Sequence, residues 1–162
     1  MERFDYDIVK DKADFRININ IGLLSMGFVV FTFIASFKPE LLQNNIFLGA
    51  ELTLSIPFIL SSSLARIKEI KKIRYEKWDK FASVTFIIGY GLLISAIGIM
   101  LAVLVSEPLS LLFFSVNILL SLIYSYLEAS YNHGNLRNEF KNDLFFLLIL
   151  LTLGVLPSLG VY

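Results

Sequence analysis

The sequence predicts an all-α polytopic membrane protein with five transmembrane helices, and three observations carry that prediction. Apolar runs close to the ~20 residues that a spanning helix needs recur five times in a chain of 162 residues. Hydrophobic residues make up 56% of the chain and charged ones 17%, with a mean hydropathy of +0.72, whereas soluble domains sit near 45–50% apolar and about 25% charged. Finally, thirteen of the fourteen Lys and Arg lie in three segments that alternate with the runs so as to share one side of a membrane. There are no cysteines, which excludes structural disulfides, Cys-based metal sites and thiol redox chemistry.

Residues 1–16 mix charges of both signs, with only Phe4, Ile8 and Val9 as a weak apolar face, and are expected to form a cytoplasmic tail or short helix. An acidic-rich stretch ahead of a full-length span fits neither a cleavable signal nor an organelle transit peptide. The remainder, 17–162, reads as a single transmembrane helical domain. The first span covers 17–37, with Asn18 and Asn20 near its cytoplasmic end, and Lys38, Pro39 and Glu40 open a polar turn.

The second span, 46–65, carries Glu51 about 7 Å inside its start at 1.5 Å per residue. It also carries Pro57, which cannot donate to the Thr53 carbonyl and so predicts a kink. Glu51, Ser55, Phe58 and Ser62 share one face. The loop 66–80 holds seven Lys or Arg against Glu69, Glu76 and Asp79. Its apolar residues recur at helical spacing, and Lys72–Glu76 and Glu76–Lys80 are i,i+4 pairs. Lys68, Lys71, Lys72 and Arg74 are the candidates for contact with anionic lipid headgroups, each worth about 1 kcal/mol near such a surface; fixing topology is the other role for the block. Nucleic acid is a poor third choice and is not expected as a partner, because the block is short and partly neutralised by acids.

The third span, 81–105, places Gly91, Ser95, Gly98 and Ala102 within roughly 60° of arc, a small-residue face that lets neighbouring backbones approach closely. Ser106, Glu107 and Pro108 make the turn into the fourth span, 108–130. There Ser110, Asn117, Ser121, Tyr124, Ser125 and Glu128 fall within roughly 100° of arc, opposite Leu112, Val116, Leu119, Ile123 and Leu127. An unsatisfied amide or hydroxyl costs several kcal/mol in hydrocarbon, so this stripe and that of the second span are expected to point inward, at other helices or at water. Asp143 is expected to cap the fifth span, 144–162, whose final turns Pro157 and Gly160 loosen. The one histidine, His133, has no second histidine near it to suggest a metal site.

The charge asymmetry predicts the N-terminus inside and, with five spans, the C-terminus outside, as a multi-pass protein of the plasma membrane. No H-E-x-x-H, G-x-S-x-G or Cys-His set is present, and Glu51 and Glu128 fall at opposite faces, so the sequence predicts no catalytic residue, metal or cofactor. The expectation for function is a small oligomeric pore or ion channel with a preference for cations. Asn117, Ser121, Tyr124, Ser125 and Glu128 would line it, with Glu51 at its outer mouth, in a homo-oligomer surrounded by membrane lipid. Two alternatives stand beside it: a structural, sensory or accessory subunit that meets a cytoplasmic or transmembrane protein partner, and a small transporter.

Overall fold

A computed structural model describes residues 2–70, 75–131 and 136–160, with side chains over 11–70, 76–127 and 141–160. The described residues form helices and no strand: α1 (Glu2–Phe37), α2 (Pro39–Asn44), α3 (Ile46–Ile70), α4 (Tyr75–Leu104), α5 (Glu107–Tyr131) and α6 (Leu136–Ile149). α6 runs on through a π-helical segment, Leu150–Val155, into a last turn, α7 (Leu156–Ser158). Five stretches are long and apolar enough to cross a membrane: Asp11–Phe37, Ile46–Ile70, Glu76–Leu104, Glu107–Leu127 and Lys141–Ser158.

Several boundaries differ from the sequence expectation, each for a local reason. The charged N-terminal residues continue the first helix, so α1 is unbroken from Glu2 to Phe37. Mixed-sign charges do not oppose helix formation, and no Pro or Gly stands at the junction. Pro39 occupies the first turn of the short α2, where its missing N–H costs nothing. Asp143 is not a cap: it lies inside α6, which begins at Leu136, and its Oδ2 accepts a hydrogen bond from Ser125 Oγ at 2.5 Å, joining α5 to α6. The real cap of this kind is Asn45, whose Oδ1 accepts from the Leu48 N–H at 3.0 Å at the start of α3.

Packing is organised around α4, in which every residue from Gly91 to Ile99 is buried. α3 crosses one side of it in antiparallel register. The buried residues of α3 include Leu48, Leu52, Ser55, Ile59, Ser62, Arg66 and Glu69; Ala82, Thr85, Gly89, Leu92, Ala96 and Ile99 are buried on α4. Steps of alternately four and three residues on both helices are the signature of knobs-into-holes packing. The small residues let the backbones close up. A Cβ at Gly89 would lie 2.9 Å from the Ile59 backbone nitrogen. α1 joins this pair through Ala13, Asn20, Gly27 and Ile34, all buried and exactly seven apart. On the other side of α4, Gly91 meets Ile149, and the Phe114 ring of α5 is seated against Gly98 and Gly154.

Candidate functional site

The polar side chains buried between helices gather along α3. Its seam places Glu51, Ser55, Ser62, Arg66 and Glu69 within about 60° of arc, and each is no more than 4% exposed. From Glu51 to Glu69 the line covers about 27 Å of helix, interrupted by Ile59 where Gly89 presses on it.

Charge is concentrated at the Glu69 end. Arg66 Nη1 donates to Glu69 Oε2 at 2.6 Å and to Asp79 Oδ1, and its Nη2 donates to Ser83 Oγ at 3.0 Å. Arg16 of α1 reaches the same Asp79 oxygen at 3.2 Å. Two cations and two anions therefore form a neutral cluster tying α1, α3 and α4 together. About a turn further into the span, Asn20 Nδ2 donates to Ser62 Oγ at 3.2 Å, and that hydroxyl donates to the Ala82 carbonyl at 2.8 Å, again linking the same three helices. A buried charge pair at this site is satisfied by its partners, which is the condition under which ions are retained away from water.

The other end is different. Glu51 is 3% exposed, sits between the fully buried Leu48 and Leu52, and neither of its carboxylate oxygens has a hydrogen-bond partner among the described residues. Ser55, one turn on, turns its hydroxyl to the Leu52 carbonyl at 2.9 Å. The other buried side-chain oxygen without a partner, Ser95 Oγ, belongs to the opposite side of α4, beside Gly154.

The stripe of α5 is divided. Ser110 is buried and donates to the Gly98 carbonyl at 2.7 Å. Asn117 Nδ2 donates back to Phe113 of its own helix at 2.8 Å, and Ser125 donates to Ser121 and to Asp143. Ser121 is half-buried and Tyr124 is 61% exposed. Glu128 lies in α5 where side chains are not described, and His133 lies outside the described residues. Among the described residues, Glu51 and the α5 stripe are thus on different flanks of α4, and no hydrogen bond joins them. Of the small-residue face, Gly91, Ser95 and Gly98 are buried and Ala102 half-buried, where α4 meets α5 and α6. Lys68 is exposed in the last turn of α3; Lys71, Lys72 and Arg74 lie outside the described residues.

Sequence reasoning missed the cluster of Arg16, Arg66, Glu69 and Asp79 because it counted these residues as solvated charge of the N-terminal tail and the basic loop, which set topology or meet headgroups. The signal was present: Arg66 and Glu69 continue the four-and-three spacing that begins at Leu48, so they point into the seam with it. Comparison with protein-family models, with curated proteins and with solved structures gives no match.

Proposed function

We propose that this is a multi-pass protein of the plasma membrane, N-terminus inside, that moves a small cation, with Glu51 as the group that takes the cation up. The observation that supports this most is the unpartnered carboxylate of Glu51, about 7 Å inside a helix long enough to span. An ionisable side chain held in such a place at a cost of several kcal/mol is by default a site of function, and the other buried charges among the described residues, Arg66 and Glu69, are paired. Pro57 lies six residues beyond it, where the freed Thr53 carbonyl gives α3 a place to bend. Ile59 closes the polar line in the present conformation, so the reading is that of a small transporter rather than an open pore.

The test is cation flux into vesicles containing the purified protein, under imposed Na⁺, K⁺ and H⁺ gradients. Flux of at least one cation is expected from the wild type, with loss in Glu51→Gln. No flux of any of the three from well-folded protein would remove the reading. A second reading, the oligomeric cation pore lined by α5, is favoured by the exposure of Tyr124 beside half-buried Ser121 and Ser125, which leaves one edge of the stripe for a neighbouring copy. In that case Asn117→Leu stops the flux, Glu128→Gln weakens the preference for cations, and Glu51→Gln does neither.

A further inference from the structure

Resting on the reading of Glu51 as the cation site, we infer that the cation is a proton, held exchangeably by the Glu51 carboxyl itself. The argument is one of ligand number. Calcium takes about six to eight oxygens and magnesium a nearly ideal octahedron, and any metal ion leaving water needs its hydration replaced. Around Glu51 that replacement is missing. Leu48 and Leu52 flank it, and both belong to the apolar cluster of Ile34, Ala96, Ile97 and Ile99. On its face Ser55, whose hydroxyl donates to the Leu52 carbonyl, adds a single oxygen, and no three acids or histidines gather among the described residues, so these side chains supply fewer oxygens than either ion takes. A proton needs no further ligand. Transferred from hydronium to one Oε, it forms an O–H bond, leaves a water molecule behind and turns an isolated buried anion into a neutral acid, removing the large cost of the unpaired charge.

Among the described residues of the elements packed against α3, no other charge is buried beside Glu51. On the elements packed against α3, the titratable groups toward its start are Lys38 and Glu40, both exposed at the α2 turn. Tyr90 of α4 is stacked with Phe86 and Phe146. The other charged residues of α1, α3 and α4 among the described residues lie at the opposite end, around Arg16, Arg66 and Asp79. Arg66 is about 22 Å along α3 from Glu51.

The experiment is infrared difference spectroscopy of the full chain in lipid vesicles, stepped between acidic and alkaline buffer in H₂O and in D₂O. A carbonyl band of a protonated carboxyl is expected that shifts in D₂O, bleaches at alkaline pH and is lost in Glu51→Gln. Absence of the band from the wild type, its persistence in a folded Glu51→Gln, or a band indifferent to pH each overturns the inference. Should Glu51→Gln fail to fold, an apolar carbodiimide, which modifies protonated carboxyls, is applied to the wild type: an adduct mapped to Glu51 supports the proton and none overturns it. The two readings fail separately. Flux of Na⁺ or K⁺ without the band discards the proton and keeps transport, whereas a titrating band without any flux keeps the proton site and discards transport.

Discussion

At the scale of the residue, most of the close packing depends on where a Cβ is missing. Phe114 is 1% exposed, and its ring fills the space over Gly98 and Gly154; a Cβ at Gly154 would lie 2.6 Å from the ring, and one at Gly98 would overlap it. Helices placed in lipid gain nothing from hiding apolar surface, and there this contact would hold through dispersion and fit alone. A methyl group at Gly98 has to move an aromatic ring that is enclosed on all sides, not the free end of a flexible chain. Gly98→Ala is therefore expected to lower stability by about 1–3 kcal/mol, the usual cost of overpacking. Adding Phe114→Leu to it should recover part of the loss. Thermal unfolding of the purified protein in one detergent, followed by circular dichroism, checks both; an unchanged transition in Gly98→Ala would mean that α5 does not seat against α4 in this way.

At the scale of the element, α3 and α4 are held by a seam and fastened at one end by charge. Arg66 is the shared donor of that fastening, with its side chain 5% exposed and Glu69 at 2%. Removing one member of a buried set leaves its partner's charge uncompensated, which costs about 3–5 kcal/mol, so Arg66→Ala should destabilise far more than Arg16→Ala, whose pair is about one-third exposed. Glu69→Gln in the Arg66→Ala background should recover part of the loss, because it takes away the stranded anion. Denaturation in detergent of the two single variants and the double variant measures this, and a purely additive result would show that the ions do not act together. The same element shows what was legible beforehand. The apolar runs, Pro57 and the shared face of Glu51, Ser55 and Ser62 are local properties and could be read directly. The inward direction of Arg66 was also local, in its spacing from Leu48, but the partners of Arg66, Asp79 and Asn20 could not be read, because they lie 13 or more residues away and composition marks a lysine-rich loop as solvated. The π-helical segment was not legible in the sequence; within it Gly154 lies against the Phe114 ring, a contact between helices.

At the scale of the whole molecule, α4 divides the protein into two unequal flanks, and the arrangement makes the path of the chain through the membrane testable. α1 and α3 pack on one side through polar and apolar seams, while α5 and the α6–α7 helix pack on the other and leave most of α5 exposed. The last candidate span, Lys141–Ser158, is the later part of a longer helical run that begins at Leu136. It keeps Asp143 turned to Ser125 rather than to headgroups. Its far end closes properly, since Ser158 is buried and Gly160 takes the positive φ of 66° that ends the helix. If the chain enters with its N-terminus inside and crosses five times, Lys38 and Gly160 face the same outer solution and Lys68 faces the inner one. The absence of native cysteines allows Lys38→Cys, Lys68→Cys and Gly160→Cys each to carry the only thiol in the protein. In intact cells a membrane-impermeant maleimide should label the first and third, and should label Lys68→Cys only after permeabilisation. Labelling of Gly160→Cys from the inner side alone would mean that the last helix enters the membrane and returns, and would leave four crossings with both termini inside.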